Sequence, residues 1–98
     1  MTEEDFRSQA IASGFADFQI KRYASDIDGP LHAHDFAVTL LVTEGEFALQ
    51  YEDRKDRFQI GECCNLKEHV LHAERAGPKG AVVIVAKRAQ NASVAPMS

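Results

Sequence analysis

Two short patterns hold the residues best suited to chemistry, 32-HAH-34 and 72-HAE-74. In an extended chain, residues two apart project to the same face. His32 and His34 therefore share a face, and so do His72 and Glu74. If the strands that carry them come together, three imidazoles and one carboxylate converge. That donor set suits a divalent metal such as zinc, iron(II), manganese or nickel. Each group also has a plainer use. Paired histidines on a strand can form a polar rim, and Glu74 can pair with Arg75 or Arg88 on the surface. His69 falls in a loop, where a solvated role is expected. No other residue stands out as a catalytic acid or nucleophile. Gln50 and Tyr51 lie on opposite faces of one strand, so one of them can reach an interior.

The elements that would position these groups are mostly strands. An N-terminal helix is expected over residues 1–14. Thr2 and Asp5 resemble a helix start, with Glu3, Glu4 and Asp5 in the first turn. Phe6, Ala10 and Ile11 share a helical face, and Gly14 can end the helix. The stretch 15-FADFQIKRYASD-26 alternates as a strand does, in an undecided register. After the turn at 26-DIDGP-30, residues Leu31 to Thr43 read as a strand buried on both faces. His32 and His34 stand at its start, with Phe36, Val38, Leu40 and Val42 continuing their face. A break is expected at 44-EGE-46, then a strand from Phe47 to Tyr51 and a hairpin loop at 52-EDRKD-56. Strands follow at 57–60, 62–66 and around 71–76, with 67-KEHVL-71 as a loop or edge. A turn at 77-GPKG-80 leads into a last strand at 81–88. Residues 89–98 read as a disordered tail. Many short strands with frequent turns predict an all-β barrel or sandwich over residues 15–88.

Composition narrows the class of partner. The chain has 98 residues, with 45% apolar, 27% charged and a formal net charge of -4. That length predicts one domain with a modest core. No basic stripe is present, which argues against a nucleic-acid groove. No stretch approaches a membrane span. The start, 1-MTEEDFRSQA-10, is acidic where a signal peptide is basic and apolar, so a cytoplasmic location is expected. Cys63 and Cys64 are adjacent, which predicts reduced thiols on opposite sides of a strand.

The motifs resemble those of cupins, a superfamily of small β-barrels. The first cupin motif has His-x-His, then a glutamate, then a glycine; 32-HAH-34 and Gly45 match it. The second opens with glycine and ends near a third histidine; Gly61 and His72 match. The resemblance spans roughly Tyr23 to Arg88. More narrowly, 34-HDFAVTLLVTEGEFAL-49 and 72-HAERAGPKG-80 resemble stand-alone cupins related to AraC-type sensor domains, here without a DNA-binding helix pair. The chain also departs from the pattern. The usual metal-binding glutamate falls at Val38, which cannot coordinate. The usual proline and glycine of the second motif fall at Lys67 and His69, and the opening glycine of the first falls near Asp26. Glu74 is the replacement for the lost carboxylate.

The resemblance implies a double-stranded β-helix (cupin or jelly-roll) barrel with metal ligands His32, His34, His72 and Glu74. It implies a metal-binding protein that holds a small oxygen-rich ligand. The alternative is a small-molecule binder or sensor that uses the same cavity without a metal. A third possibility is an interaction module with a vestigial cavity. Catalysis is left open, since the fold hosts many functions. A homodimer is expected, with the strand at 15–23 as its contact.

Overall fold

The computed structural model describes residues 1–89. The tail expected at 89–98 lies outside them from residue 90 onward. One helix and five strands follow in order: α1 (Glu3–Ala12), β1 (Ala16–Tyr23), β2 (Phe36–Gln50), β3 (Lys55–Gln59), β4 (Cys63–Leu66) and β5 (Ala73–Ala89).

Helix α1 begins where its cap predicts. The Asp5 N–H donates to Thr2 Oγ1 at 3.1 Å, and the acidic first turn faces the positive end of the helix dipole. The helix buries Phe6 and Ala10. Phe6 packs with Leu41 and Ile84 on the outside of the sheet, and Phe18 meets its ring edge-on at 6.2 Å. Ile11 does not join this face: it is 64% exposed. Only a narrow stripe of α1 touches the sheet, so the expected Ile11 contact is absent.

All strand pairs are antiparallel, and β2 organises them. One edge of β2 pairs with β5 along its whole length. The other edge pairs first with β4, through Val38–Leu66 to Leu41–Cys63, and then with β3, through Glu46–Gln59 to Gln50–Lys55. Strand β1 extends the sheet beyond β5. The sheet curls as a jelly roll around one face, which carries Val38, Leu40, Val42, Phe47, Leu49, Leu66, Val83 and Val85. The other face of β2, with Leu41, lies under α1. This is why residues 37–42 are buried without alternation.

Two expected breaks are bends within long strands. β2 runs through 44-EGE-46, and its register slips between Val42 and Glu44 and again between Gly45 and Phe47. β5 likewise runs through 77-GPKG-80. The two irregularities face each other. Gly45 pairs with Ala81 while Phe47 pairs with Ala76, so the extra residues of β5 bulge out opposite Glu46. Gly45 has φ +70, and a β-carbon there would collide with the Gly80 carbonyl. A bulge increases twist and bends a strand, which lets one strand serve both halves of the barrel. The local signal for a turn was real, but the pairing partner kept each strand continuous.

Candidate metal centre

The histidine pair precedes β2 rather than lying on it, because the strand begins at Phe36. A different device holds the imidazoles. The His32 N–H donates to the His72 carbonyl at 2.8 Å, and the His72 N–H donates to the His32 carbonyl at 2.9 Å. This isolated bridge clamps the two residues side by side. The His69 N–H donates to the His34 carbonyl at 2.7 Å, which ties down the second histidine. Arg75 braces the loop from below: its Nη2 donates to the Gly29 carbonyl at 3.0 Å. Its Nη1 donates to the Glu74 carbonyl at 2.8 Å. Arg75 thus holds backbone rather than the Glu74 carboxylate, and Arg88 donates to the Ser13 carbonyl.

The four side chains meet. Their ligating atoms all lie within 4.8 Å of one another. Two donors on opposite sides of an ion, each at about 2.1 Å, stand about 4.2 Å apart. The cluster is therefore one small side-chain adjustment from a coordinating set. The His32 ring lies 4.6 Å from His72 and 5.0 Å from His34, centroid to centroid. His34 stacks on Phe36 at 4.7 Å.

The hydrogen bonds fix which nitrogen faces inward. His72 Nδ1 lies 2.8 Å from the Val70 carbonyl, and His32 Nδ1 lies 3.1 Å from the Pro30 carbonyl. A carbonyl only accepts, so each Nδ1 carries the proton. In the neutral rings both Nε2 atoms then present lone pairs to the cluster. Glu74 Oε2 sits 3.3 Å from His72 Nε2 and 3.5 Å from His32 Nε2. His72 is 1% exposed, and its Nε2 is buried with no hydrogen-bond partner. Burial, and then the neighbouring imidazoles of His72 and His32, hold His34 below the usual imidazole range. That shift favours the neutral, ligand form of His34.

A cavity of about 120 Å³ opens beside the cluster. His34, His72 and Glu74 face it, and Val38, Leu40, Phe47 and Leu49 form part of its apolar wall. Val38 thus occupies the wall at the position of the usual carboxylate. Lys21, Tyr23 and Lys87 also line it. Burial, reinforced by the Glu74 charge, pushes the Tyr23 hydroxyl up to about 12, so it stays a hydrogen-bond donor. Sequence reasoning missed these three residues. The alternation in β1 left two registers open; pairing with β5 turns Lys21 and Tyr23 inward and leaves Ile20 outside, 64% exposed. Neither Gln50 nor Tyr51 lines the cavity: Gln50 donates to the carbonyls of Tyr51 and Arg54 instead. His69 lies outside the cluster. A second cavity, of about 160 Å³ beneath α1, contains no histidine or carboxylate.

No family model matches the sequence, and neither does any curated protein. Solved structures do match. The chain superposes on a cupin-2 domain protein from Shewanella frigidimarina with TM-score 0.63 and 20% identity, over 70% of this chain and 66% of that one. A cupin superfamily protein from Desulfitobacterium hafniense matches with TM-score 0.64 and 15% identity, over 74% and 65%. HppE, in its iron(II) form with substrate, matches with TM-score 0.63 and 23% identity, over 70% and 43%. The chain spans about two thirds of the length of the first two and less than half of the third. Its fold is therefore that of these small cupin barrels.

Proposed function

We propose that His32, His34, His72 and Glu74 hold a divalent metal ion and that the adjacent cavity brings a small oxygen-rich ligand to it. One observation carries this reading: the buried, unpartnered Nε2 of His72, aimed at a carboxylate and two other imidazoles. Leaving a buried polar atom unsatisfied costs about 1–3 kcal/mol. With Nδ1 of His32 and His72 turned to backbone carbonyls, their Nε2 atoms and the Glu74 carboxylate converge as acceptors, and a cation satisfies them together. The backbone contacts at Nδ1 of His32 and His72 supply the outer shell that orients ligating histidines. When bound, the ion supplies a Lewis-acidic centre with positions open to a ligand. The apolar wall excludes water on one side, and Tyr23 offers a hydroxyl donor. The likeness to HppE in its iron(II) form supports a metal role for this fold without specifying this chain's ion or ligand.

The experiment is metal analysis of protein purified without an affinity tag, followed by titration of the chelated protein with iron(II), manganese, nickel and zinc. Stoichiometric binding that is lost in His72→Ala is the expected result. If none of the four ions binds the parent better than that variant, the reading fails. Val38 in the cavity wall then favours the second reading, a metal-free binder of a small organic ligand.

A further inference from the structure

The cavity is chemically lopsided. Its buried wall is apolar, with Leu40, Phe47, Leu49 and Val85. Two lysines stand on its more exposed margin, Lys21 from β1 and Lys87 from β5. Both are half-buried, an unusual state for lysine without a paired charge. Neither forms an ion pair among the described residues. Lys87 Nζ instead rests 4.8 Å over the Phe36 ring, and that ring stacks on His34. Glu74 is the one carboxylate lining the cavity, and it is turned towards His72 and His32. The cavity is therefore cationic without any ion, and a bound metal makes it more so.

We propose that this cavity binds a small organic acid, with one carboxylate held by Lys21 and Lys87 and a short apolar body against Leu40, Phe47 and Val85. Register makes the two lysines a pair. Lys21 lies across from Val83, four residues along β5 from Lys87, or about 13 Å. Two extended lysine side chains and a carboxylate span that gap. The cavity volume of about 120 Å³ is far below that of pockets for drug-sized ligands, which limits the body to a few carbons. The inference rests on the same cavity as the metal reading but depends on the lysines rather than on the ion.

The probe is butyrate, with butyramide as its neutral counterpart. Binding to the whole chain is followed by nuclear magnetic resonance, once with chelator and once with zinc. Butyrate should bind about tenfold or more tighter than butyramide, the difference expected when charged hydrogen bonds are lost. The double variant Lys21→Met, Lys87→Met should lose that preference and keep its butyramide affinity. The double arginine variant should keep the preference. Single glutamine variants at each position repeat the test, with folding checked by circular dichroism. The inference is overturned if butyrate binds no better than butyramide, if neither binds, or if folded lysine variants keep the full preference. Zinc binding without a lysine-dependent preference sinks this inference alone. A lysine-dependent preference in a protein that binds none of the four ions sinks the metal reading alone.

Discussion

At the scale of single residues, the site turns on which groups lose most when an ion is absent. His72 is buried and has no alternative partner for Nε2, whereas His32 and Glu74 are partly exposed to water. Replacing His72 by alanine should therefore abolish tight metal binding, and His34→Ala should do the same. Glu74→Gln should weaken binding less than loss of a histidine, because an amide oxygen can still coordinate. His69→Ala, outside the cluster, should leave affinity unchanged. Competition with a chromophoric chelator measures all four. Equal affinity of His72→Ala and His69→Ala would rule out the cluster. Metal affinity should also fall as the pH drops through the histidine range, since the ion displaces protons from its ligands.

At the scale of elements, the long bent strands β2 and β5 place the site, and their facing bulges are the vulnerable point. Gly45→Ala would force a β-carbon into the Gly80 carbonyl at φ +70. We expect a loss of about 2 kcal/mol or more, read from urea unfolding. An unchanged midpoint would mean that the bulge relaxes freely. The neighbouring thiols on β4 test its faces. Cys64 packs against the inner core and Cys63 against the cluster under α1. Burial first, then Cys63 and Asp56, push the Cys64 thiol up to about 12. Cys63 should thus react first with a thiol reagent, and equal rates would contradict the assignment of faces. The same shift sets a sign for stability. Above the usual thiol value the unfolded chain loses the Cys64 proton while the native protein keeps it. Stability should fall as pH rises from about 9 towards 12, and Cys64→Ala should flatten that decline in urea melts.

At the scale of the whole molecule, the open question is the sheet edge. Strand β1 pairs on one side only, with β5, and Ile20 on it is 64% exposed. Uncovered edges invite association. We expect a homodimer through β1, loosened by Ile20→Lys. A single monomeric mass at micromolar concentration in sedimentation equilibrium would count against it. No helix among the described residues is long and apolar enough to cross a membrane.

Periodicity and local chemistry were enough for much of this. Thr2, the acidic turn and Gly14 mark α1, and the apolar run from Leu31 to Thr43 marks a strand buried on both faces, although the strand itself begins only at Phe36. Spacing alone put His32 with His34 and His72 with Glu74 on shared faces. The rest depended on pairing. Whether 44-EGE-46 and 77-GPKG-80 end strands or bend them is decided by the opposite strand, since the same glycine-rich signal serves a turn or a bulge. The histidines are held by a backbone bridge between residues 40 positions apart, which no local pattern encodes. The inward turn of Lys21 and Tyr23 rests on a register of β1 that its own alternation left undetermined, because a one-residue slip exchanges its two faces.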